Sequence, residues 1–192
     1  MPRGAVSIIG GQWRGRKISV TELAIKPTPN RVRETLFNWL MPMIKGAYCL
    51  DLFAGSGALG FEALSRGAEW VSFVDQSFPV VKMLKKHADH FRVAEKTHIH
   101  HSSFDKLSYA ELKNILQDKA FDVIFLDPPF RKNLLEASLH WLANKAIVSP
   151  TAWVYMEHEK GLVLPTTWTT QWDLWRQKRA GQVYYELWKK NQ

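Results

Sequence analysis

Cysteine is almost absent from this 192-residue chain, and long hydrophobic runs are absent altogether. The single cysteine, Cys49, excludes an intramolecular disulfide, which is typical of proteins from a reducing compartment. The apolar stretch from Val6 to Gly11 is too short for a signal peptide, and no run reaches transmembrane length. We therefore expect a cytoplasmic, monomeric protein without a membrane anchor, of a size typical of one domain.

Acidic residues are also in deficit, and the imbalance is concentrated at one end. The chain has 26 Lys and Arg against 18 Asp and Glu, a net charge of +8. Within residues 1–33 one acid, Glu22, stands against seven basic side chains. Such an arm is typical of proteins that bind nucleic-acid phosphates, although a solvated basic tail would have the same composition. The side chains predicted to contact phosphate are Arg3, Arg14, Arg16, Lys17, Arg31 and Arg33.

The arm has the pattern of a folded element. Residues 5–9 and 12–20 alternate weakly between apolar and polar side chains on either side of two glycines, which predicts a small β-hairpin. We expect residues 1–25 to form this basic hairpin arm and residues 26–192 to form the main domain. Thr28 is predicted to cap a helix that has Pro29 at its first position and continues to about Leu40.

From Tyr48 onward, strand and helix patterns alternate. Short apolar runs at residues 48–53, 70–74, 97–101, 121–126 and 152–156 are separated by segments with helical spacing. This order predicts an α/β, Rossmann-like fold with a mostly parallel, seven-stranded sheet and a ligand site at the carboxyl ends of the strands. Two alternating segments, 171–178 and 182–188, predict a C-terminal antiparallel hairpin.

A glycine-rich loop follows the first of these strands. Gly55, Gly57 and Gly60 spell G-x-G-x-x-G, a pattern that fits a dinucleotide site or an unliganded strand-to-helix turn as well. The position of Asp51, four residues before Gly55, resembles instead the S-adenosylmethionine (SAM) loop of Rossmann-like methyltransferases.

The next strands end in polar residues at the same predicted edge of the sheet. Asp75 can accept hydrogen bonds from both ribose hydroxyls of a nucleoside, although it can also cap the following helix. Ser102 and Phe104 lie where an adenine edge is expected. The complete set of predicted SAM-binding residues is Asp51, Phe53, Ala54, Gly55, Gly57, Asp75, Gln76, Ser102, Ser103 and Phe104.

The strand at residues 121–126 ends in Asp-Pro-Pro-Phe. An exocyclic amino group is a poor nucleophile because its lone pair is delocalised into the ring. Two acceptors, Asp127 and the Pro128 carbonyl, can hold its N–H bonds, orient the lone pair and stabilise the developing positive charge. Phe130 offers a flat face for the base. The predicted catalytic residues are therefore Asp127, Pro128 and Phe130, the alternative being a proline turn with Asp127 as a cap.

Three blocks together resemble the RsmD family, bacterial enzymes that methylate guanine N2 in 16S ribosomal RNA. The blocks are residues 8–17, residues 27–38, and the glycine loop with Asp-Pro-Pro-Phe. The resemblance extends over nearly the whole chain and implies a Rossmann-like fold, SAM as the cofactor, and 16S rRNA or the small ribosomal subunit as the partner. This chain departs from the family pattern at three positions: Lys26 replaces a frequent arginine, Asn30 a common aspartate, and Ser102 the usual acid or amide.

Other functions remain open from the sequence. A nicotinamide-dependent dehydrogenase would use the glycine loop but leaves Asp-Pro-Pro-Phe unexplained. A methyltransferase acting on DNA or another RNA shares the catalytic motif, and a non-catalytic rRNA-binding assembly factor would keep the basic arm. Five histidines fall within 15 residues, but they divide between a helix and a strand and no carboxylate cluster completes a ligand set, so we expect no metal. These histidines are His87, His90, His98, His100 and His101.

Overall fold

The computed structural model describes residues 4–20, 28–129, 133–143 and 146–191. The arm is an antiparallel pair, β1 and β2, joined through a 3₁₀ turn at Gly11–Trp13, as its pattern predicts. The strands are β1 (Gly4–Ser7), β2 (Lys17–Val20), β3 (Tyr48–Asp51), β4 (Trp70–Asp75), β5 (Thr97–His101), β6 (Phe121–Leu126), β7 (Val148–Glu159), β8 (Trp172–Ala180) and β9 (Val183–Lys190). The α-helices are α1 (Asn30–Trp39), α2 (Ala58–Ser65), α3 (Phe78–Phe91), α4 (Tyr109–Leu116), α5 (Leu134–Ala143) and the short α6 (Thr166–Thr169).

The main sheet has seven strands in the order β5-β4-β3-β6-β7-β9-β8. The first five are parallel, and β9 and β8 complete the sheet as an antiparallel hairpin. The chain winds outward from β3 through β4 to β5, then returns to place β6 on the other side of β3. This switch point opens a crevice at the carboxyl ends of β3 and β6, the position where such sheets bind ligands. The predicted fold class is therefore confirmed.

Both faces of the sheet are buried, which explains the continuous apolar runs of the central strands. Along β6, Val123 and Phe125 join one hydrophobic cluster with α1, α2 and α3, whereas Ile124 and Leu126 join a second cluster with α4 and α5. No helix in the described part of the chain is both long and apolar enough to cross a membrane.

The arm packs against α1 and α2 and contributes Ile8, Trp13 and Ile18 to the first cluster. A buried carboxylate fixes it there. Glu62 on α2 accepts hydrogen bonds from the backbone N–H groups of Ile9 and Gly10, at 2.7 and 2.8 Å. The hydroxyl of Ser65, one turn along α2, accepts from Trp13 N at 3.0 Å and donates to Gly10 O at 2.6 Å.

The structure corrects the prediction for the start of α1. Thr28 does not cap this helix, because the cap position is Pro29 and makes no side-chain hydrogen bond. The Thr28 hydroxyl instead contacts two carboxyl groups at the ends of β6 and β7. Thr28 followed by Pro29 fits the start of a helix. The local pattern did not reveal that the Thr28 hydroxyl contacts two carboxyl groups and not a backbone N–H of the helix.

Substituting Glu62→Gln tests the anchoring of the arm. It leaves the buried Arg33 guanidinium, 3.6 Å away, without its counter-charge. We expect a loss of about 3–5 kcal/mol in the free energy of unfolding, the usual scale for breaking a buried ion pair, measured by urea denaturation. The control is Glu69→Gln, whose carboxylate pairs with Lys96 on the surface and should change stability by less than about 0.5 kcal/mol. Equal losses in the two variants would contradict the anchoring role.

Candidate active site

The glycine loop after β3 is built around Asp51. Its carboxyl group is buried and accepts a hydrogen bond from Gly60 N at 3.2 Å, so it ties the end of β3 to the first turn of α2. Gly60 is required there because an added Cβ would lie 2.2 Å from the ring of Phe73 on β4. Burial raises the pKa of Asp51 to about 7, and nearby Asp75 adds to the effect, whereas the hydrogen bond from Gly60 opposes it.

Gly55 and Gly57 have φ values of 49° and 77°, a region that residues with side chains rarely adopt. A Cβ at Gly57 would lie 2.6 Å from Leu84 on α3, which is a packing constraint. A Cβ at Gly55 would have only the Phe53 carbonyl oxygen within 4 Å, so the space above this residue is open. Gly57 therefore serves the fold, whereas Gly55 leaves room for a ligand beside the loop.

Asp75 at the end of β4 holds the glycine loop in place. One carboxylate oxygen accepts from Gly55 N at 3.0 Å and the other from Ser77 N at 2.8 Å. Each oxygen keeps a second lone pair, so the carboxylate can still accept hydrogen bonds from a ligand. The alternative prediction, that Asp75 caps α3, is wrong, because the cap position of that helix is Ser77. The ribose contact stays a prediction.

The end of β5 closes one side of this crevice. Ser102 N donates to Asp75 O at 3.1 Å, and the Ser102 hydroxyl donates to Ser103 O. Phe104 is buried and meets the ring of Phe53 edge-on at 5.6 Å, so the two aromatic side chains of the predicted set pack together. The set has two further members here, Gln76, which is exposed, and Ala54, which is buried and donates its N–H to Val74 O.

Asp127 and Pro128 follow β6 directly, next to the glycine loop on the neighbouring strand β3. Asp127 is partly exposed, and it accepts a hydrogen bond from the Thr28 hydroxyl at 3.0 Å. Burial and the neighbouring Glu157 raise the pKa of Asp127 well above its usual range, whereas the Thr28 bond opposes the shift. Phe130, the third predicted catalytic residue, lies outside the described residues.

Two residues beside the predicted catalytic pair, Glu157 and Tyr155, were not predicted from the sequence. Glu157 lies two residues before the carboxyl end of β7. It is buried, with its Oε1 atom 2.8 Å from the Thr28 hydroxyl and 2.7 Å from the Tyr155 hydroxyl. Burial raises the pKa of both side chains. A usable signal was present, because β7 was predicted as a strand and an acid at its carboxyl end belongs to the same edge as Asp127.

The basic residues do not all lie where they were expected. Arg33 is completely buried, and its guanidinium donates to Ser7 O at 2.8 Å and to Asn30 Oδ1 at 2.7 Å. Desolvation lowers the pKa of Arg33, partly offset by Glu62. This contradicts the prediction that Arg33 contacts RNA phosphate, because it holds the arm and α1 to Glu62 instead.

The other predicted phosphate contacts in the described part of the chain are exposed. Arg14, Lys17 and Arg31 face solvent. Arg16 is exposed as well, with its guanidinium 2.9 Å from His90 Nε2 and 4.7 Å above the Phe91 ring. Arg3 lies outside the described residues, so its predicted role stays a prediction.

The structure also changes the picture of the histidines. His98 and His100 share one face of β5, and Glu111 of α4 lies 3.6 and 3.2 Å from their ring nitrogens. A carboxylate does therefore join two of the histidines, contrary to the reason given for expecting no ligand set. Burial, reinforced by His98, lowers the pKa of His100 to about 4, so its ring is neutral at neutral pH.

A cavity of about 740 Å³ lies away from this crevice. Its lining includes Trp13 from the arm, Gly67 before β4 and Arg92 before β5. These positions belong to the amino ends of the strands, so the cavity and the carboxyl-end crevice occupy opposite edges of the sheet.

A parallel sheet with a glycine loop after β3, an acid at the end of β4 and Asp-Pro-Pro after β6 defines the class of Rossmann-like methyltransferases.

Comparison with known proteins agrees with this class. Residues 6–189 match the family model described as Conserved hypothetical protein 95. The chain is 43% identical over 190 residues to ribosomal RNA small subunit methyltransferase D of Haemophilus influenzae, covering 96% of this chain and 94% of the relative. The chain belongs to this family, and the resemblance to RsmD is confirmed.

Solved structures support the same fold. The putative methyltransferase yhhF from Escherichia coli has a TM-score of 0.81 and 40% identity, covering 97% of this chain and 98% of that one. The T. thermophilus 16S rRNA N2 methyltransferase RsmC, solved in complex with AdoMet and guanosine, has a TM-score of 0.70 at 20% identity, covering 98% of this chain and 50% of that one. At that identity it bears on the fold alone.

Asp51→Asn tests the state of the buried carboxyl group. The pKa of Asp51 is about 7 in the folded chain and near 3.9 when unfolded. Ionisation therefore disfavours the folded state increasingly as the pH rises from about 4 to about 7. The amide removes this penalty. Its gain in free energy of unfolding over wild type should grow by on the order of 3 kcal/mol between pH 5 and pH 8, measured by urea denaturation. A difference independent of pH would contradict a raised pKa.

Proposed function

We propose that this chain transfers a methyl group from SAM to the exocyclic N2 amino group of a guanine in 16S ribosomal RNA. The observation that carries the proposal is the position of Asp127 and Pro128, at the switch point of the sheet and beside the glycine loop. Family membership provides the substrate class, since the relatives that match nearly the whole chain are named small-subunit rRNA methyltransferases.

The charge of the crevice and the open space beside Gly55 support SAM as the ligand. SAM is a sulfonium that supplies an electrophilic methyl group, and its methionine end carries an ammonium. Asp51 and Asp75 place two carboxyl groups beside the loop, and Gly55 leaves open space above the backbone. Asp75 would hold the ribose, and Ser102, Ser103 and Phe104 would border the adenine.

Asp127 and the Pro128 carbonyl are placed to act on the amino group. Held between two acceptors, its nitrogen turns its lone pair toward the methyl donor, and the positive charge that develops there meets a carboxyl group. Phe130 would stack on the base. The crevice is therefore arranged for attack by a neutral nitrogen that becomes cationic.

RNA capture is assigned to the arm. Arg14, Arg16, Lys17 and Arg31 are exposed cations on or next to an element that Glu62 fixes to α2. In our proposal they contact phosphates and position the RNA, while the crevice selects the base. The partner we propose is 16S rRNA, either free or in the small ribosomal subunit.

The decisive experiment is labelling with tritiated SAM. Ribosomal RNA from a strain that lacks this protein is incubated with the enzyme, as free rRNA and as small subunits, and digested to nucleosides. We expect the label in N2-methylguanosine. Label in another nucleoside or in DNA would indicate a different amino-methyltransferase. Binding of SAM and RNA without any transfer would indicate the non-catalytic assembly factor.

Asp127→Ala tests the proposed division of labour. Because Asp127 is expected to contact the amino group rather than SAM, SAM affinity measured by calorimetry should be retained. Methyl transfer should fall by about 100-fold or more, the scale for losing one preorganised polar contact. The matched control is Asp173→Ala, an exposed acid on β8. A normal rate in Asp127→Ala would reduce Asp127 to a turn residue.

Neutralising Arg14, Arg16 and Lys17 together with glutamine tests the arm. RNA affinity should fall, and its dependence on salt should flatten by up to about 0.7 in log–log slope for each lost single-strand phosphate contact. SAM affinity should not change. A control triple variant removes three exposed lysines around α4, at residues 106, 113 and 119, and makes the same change in net charge. If both triple variants behave alike, the arm has no specific role in RNA binding.

A further inference from the structure

We propose that Glu157 is a positioning residue that shares one proton with Asp127 through the Thr28 hydroxyl and so sets the pH at which Asp127 becomes the acceptor for the reacting amino group. The inference rests on the proposed methyl transfer and adds to it a residue from the neighbouring strand. Its basis is a continuous chain of polar contacts from β6 to β7.

The register of the sheet brings the two acids together. On β6 and β7 the last paired residues are Leu126 and Met156, and the next residues on the two strands are Asp127 and Glu157. Thr28, at the entry to α1, reaches across both strand ends. Its Oγ1 atom lies 3.0 Å from Asp127 Oδ2 and 2.8 Å from Glu157 Oε1.

The single hydrogen of the Thr28 hydroxyl limits the protonation states that the two acids can have. A threonine hydroxyl has one hydrogen and can donate it fully to only one carboxylate. Both contacts are good hydrogen bonds only when the other carboxyl group carries a proton and donates it to the Thr28 oxygen. Two adjacent carboxylates, of which Glu157 is buried and Asp127 partly exposed, also disfavour double ionisation. The geometry therefore favours one shared proton, which can pass between Asp127 and Glu157 by way of Thr28.

The surroundings favour the same state. The Tyr155 hydroxyl donates to the Oε1 atom of Glu157 that Thr28 also contacts, so it fixes this carboxyl group in position. Other ionisable groups that act on the network are Asp51 from β3, which faces Asp127, and Tyr185 from β9, which lies near Tyr155. Burial and mutual repulsion raise the pKa of Asp127, and burial raises that of Glu157.

Methyl transfer to the amino group requires the nitrogen to lose one proton, and Asp127 and Glu157 can take up that proton. With the shared proton on Glu157, Asp127 is an anion that accepts a hydrogen bond from one N–H of the guanine amino group. Asp127 retains that contact while the N2–C bond forms and the S–C bond breaks, which leaves a thioether and a cationic nitrogen. The nitrogen then gives one proton to Asp127. The pair now holds two protons and releases one to solvent as the product leaves.

The test combines two variants with opposite expected effects. Glu157→Gln removes the neighbouring negative charge, so the pKa of Asp127 should fall. Thr28→Val leaves both acids but removes the hydroxyl, so the pKa of Asp127 should rise. Carbon-13 NMR of the labelled carboxyl groups in the free protein measures both values without any turnover. We expect shifts of about one pH unit, the scale at which coupled groups titrate as a pair. Thr28→Ser keeps a hydroxyl and should restore the wild-type titration.

The catalytic part is measured from the pH dependence of single-turnover methyl transfer. The acidic limb of the profile should move down in Glu157→Gln and up in Thr28→Val, in step with the NMR values. Glu159→Gln makes the same change two residues further along β7 and should leave the profile in place. An unchanged Asp127 titration in Glu157→Gln would overturn the coupling. A shifted titration with an unshifted rate profile would overturn the catalytic role. If the wild-type protein transfers no methyl group, the proposed function is wrong. The NMR titration would still show whether Asp127 and Glu157 are coupled.

Discussion

The placement of the arm depends on one buried anion. A carboxylate that is removed from water is tolerated only where donors replace its hydration, and Glu62 receives them from three directions. Two come from the arm backbone, one from Arg66 on the same helix, and Arg33 on α1 provides the nearby cation. The arm and Arg33 are distant from Glu62 in sequence, so satisfying the charge of Glu62 requires the arm, α1 and α2 to assemble in one arrangement.

The same constraint reaches the active site. Arg33 fixes the first turn of α1, and Thr28 lies just before that helix begins. The chain between them spans less than two helical turns, so the position of Thr28 at the ends of β6 and β7 follows from the anchoring of α1. An element that is expected to contact RNA and a hydroxyl that contacts two site acids are thereby connected through a few residues of rigid backbone.

Local pattern was sufficient for most of the fold and for part of the site. The strands Thr97–His101 and Phe121–Leu126 have the predicted bounds, because their apolar residues and the breakers that flank them lie in the sequence itself. Thr28 and Glu157 are 129 residues apart, and their contact depends on strand register, which no local pattern contains. The prediction that Arg33 contacts RNA was wrong because a count of charges does not distinguish an exposed cation from one whose partner is a buried acid.

The acids at the switch point also bear on which ligand the site is built for. Asp51, Asp127 and Glu157 all have raised pKa values, which means that the fold keeps carboxyl groups where burial disfavours their charge. A diphosphate-bearing dinucleotide would bring more negative charge into this crevice and would make each ionisation harder. A sulfonium donor and a nitrogen that becomes cationic do the opposite, since each favours the ionised carboxylates. The electrostatics of the crevice thus separate the two ligand classes that share its glycine pattern, and they favour methyl transfer over hydride transfer.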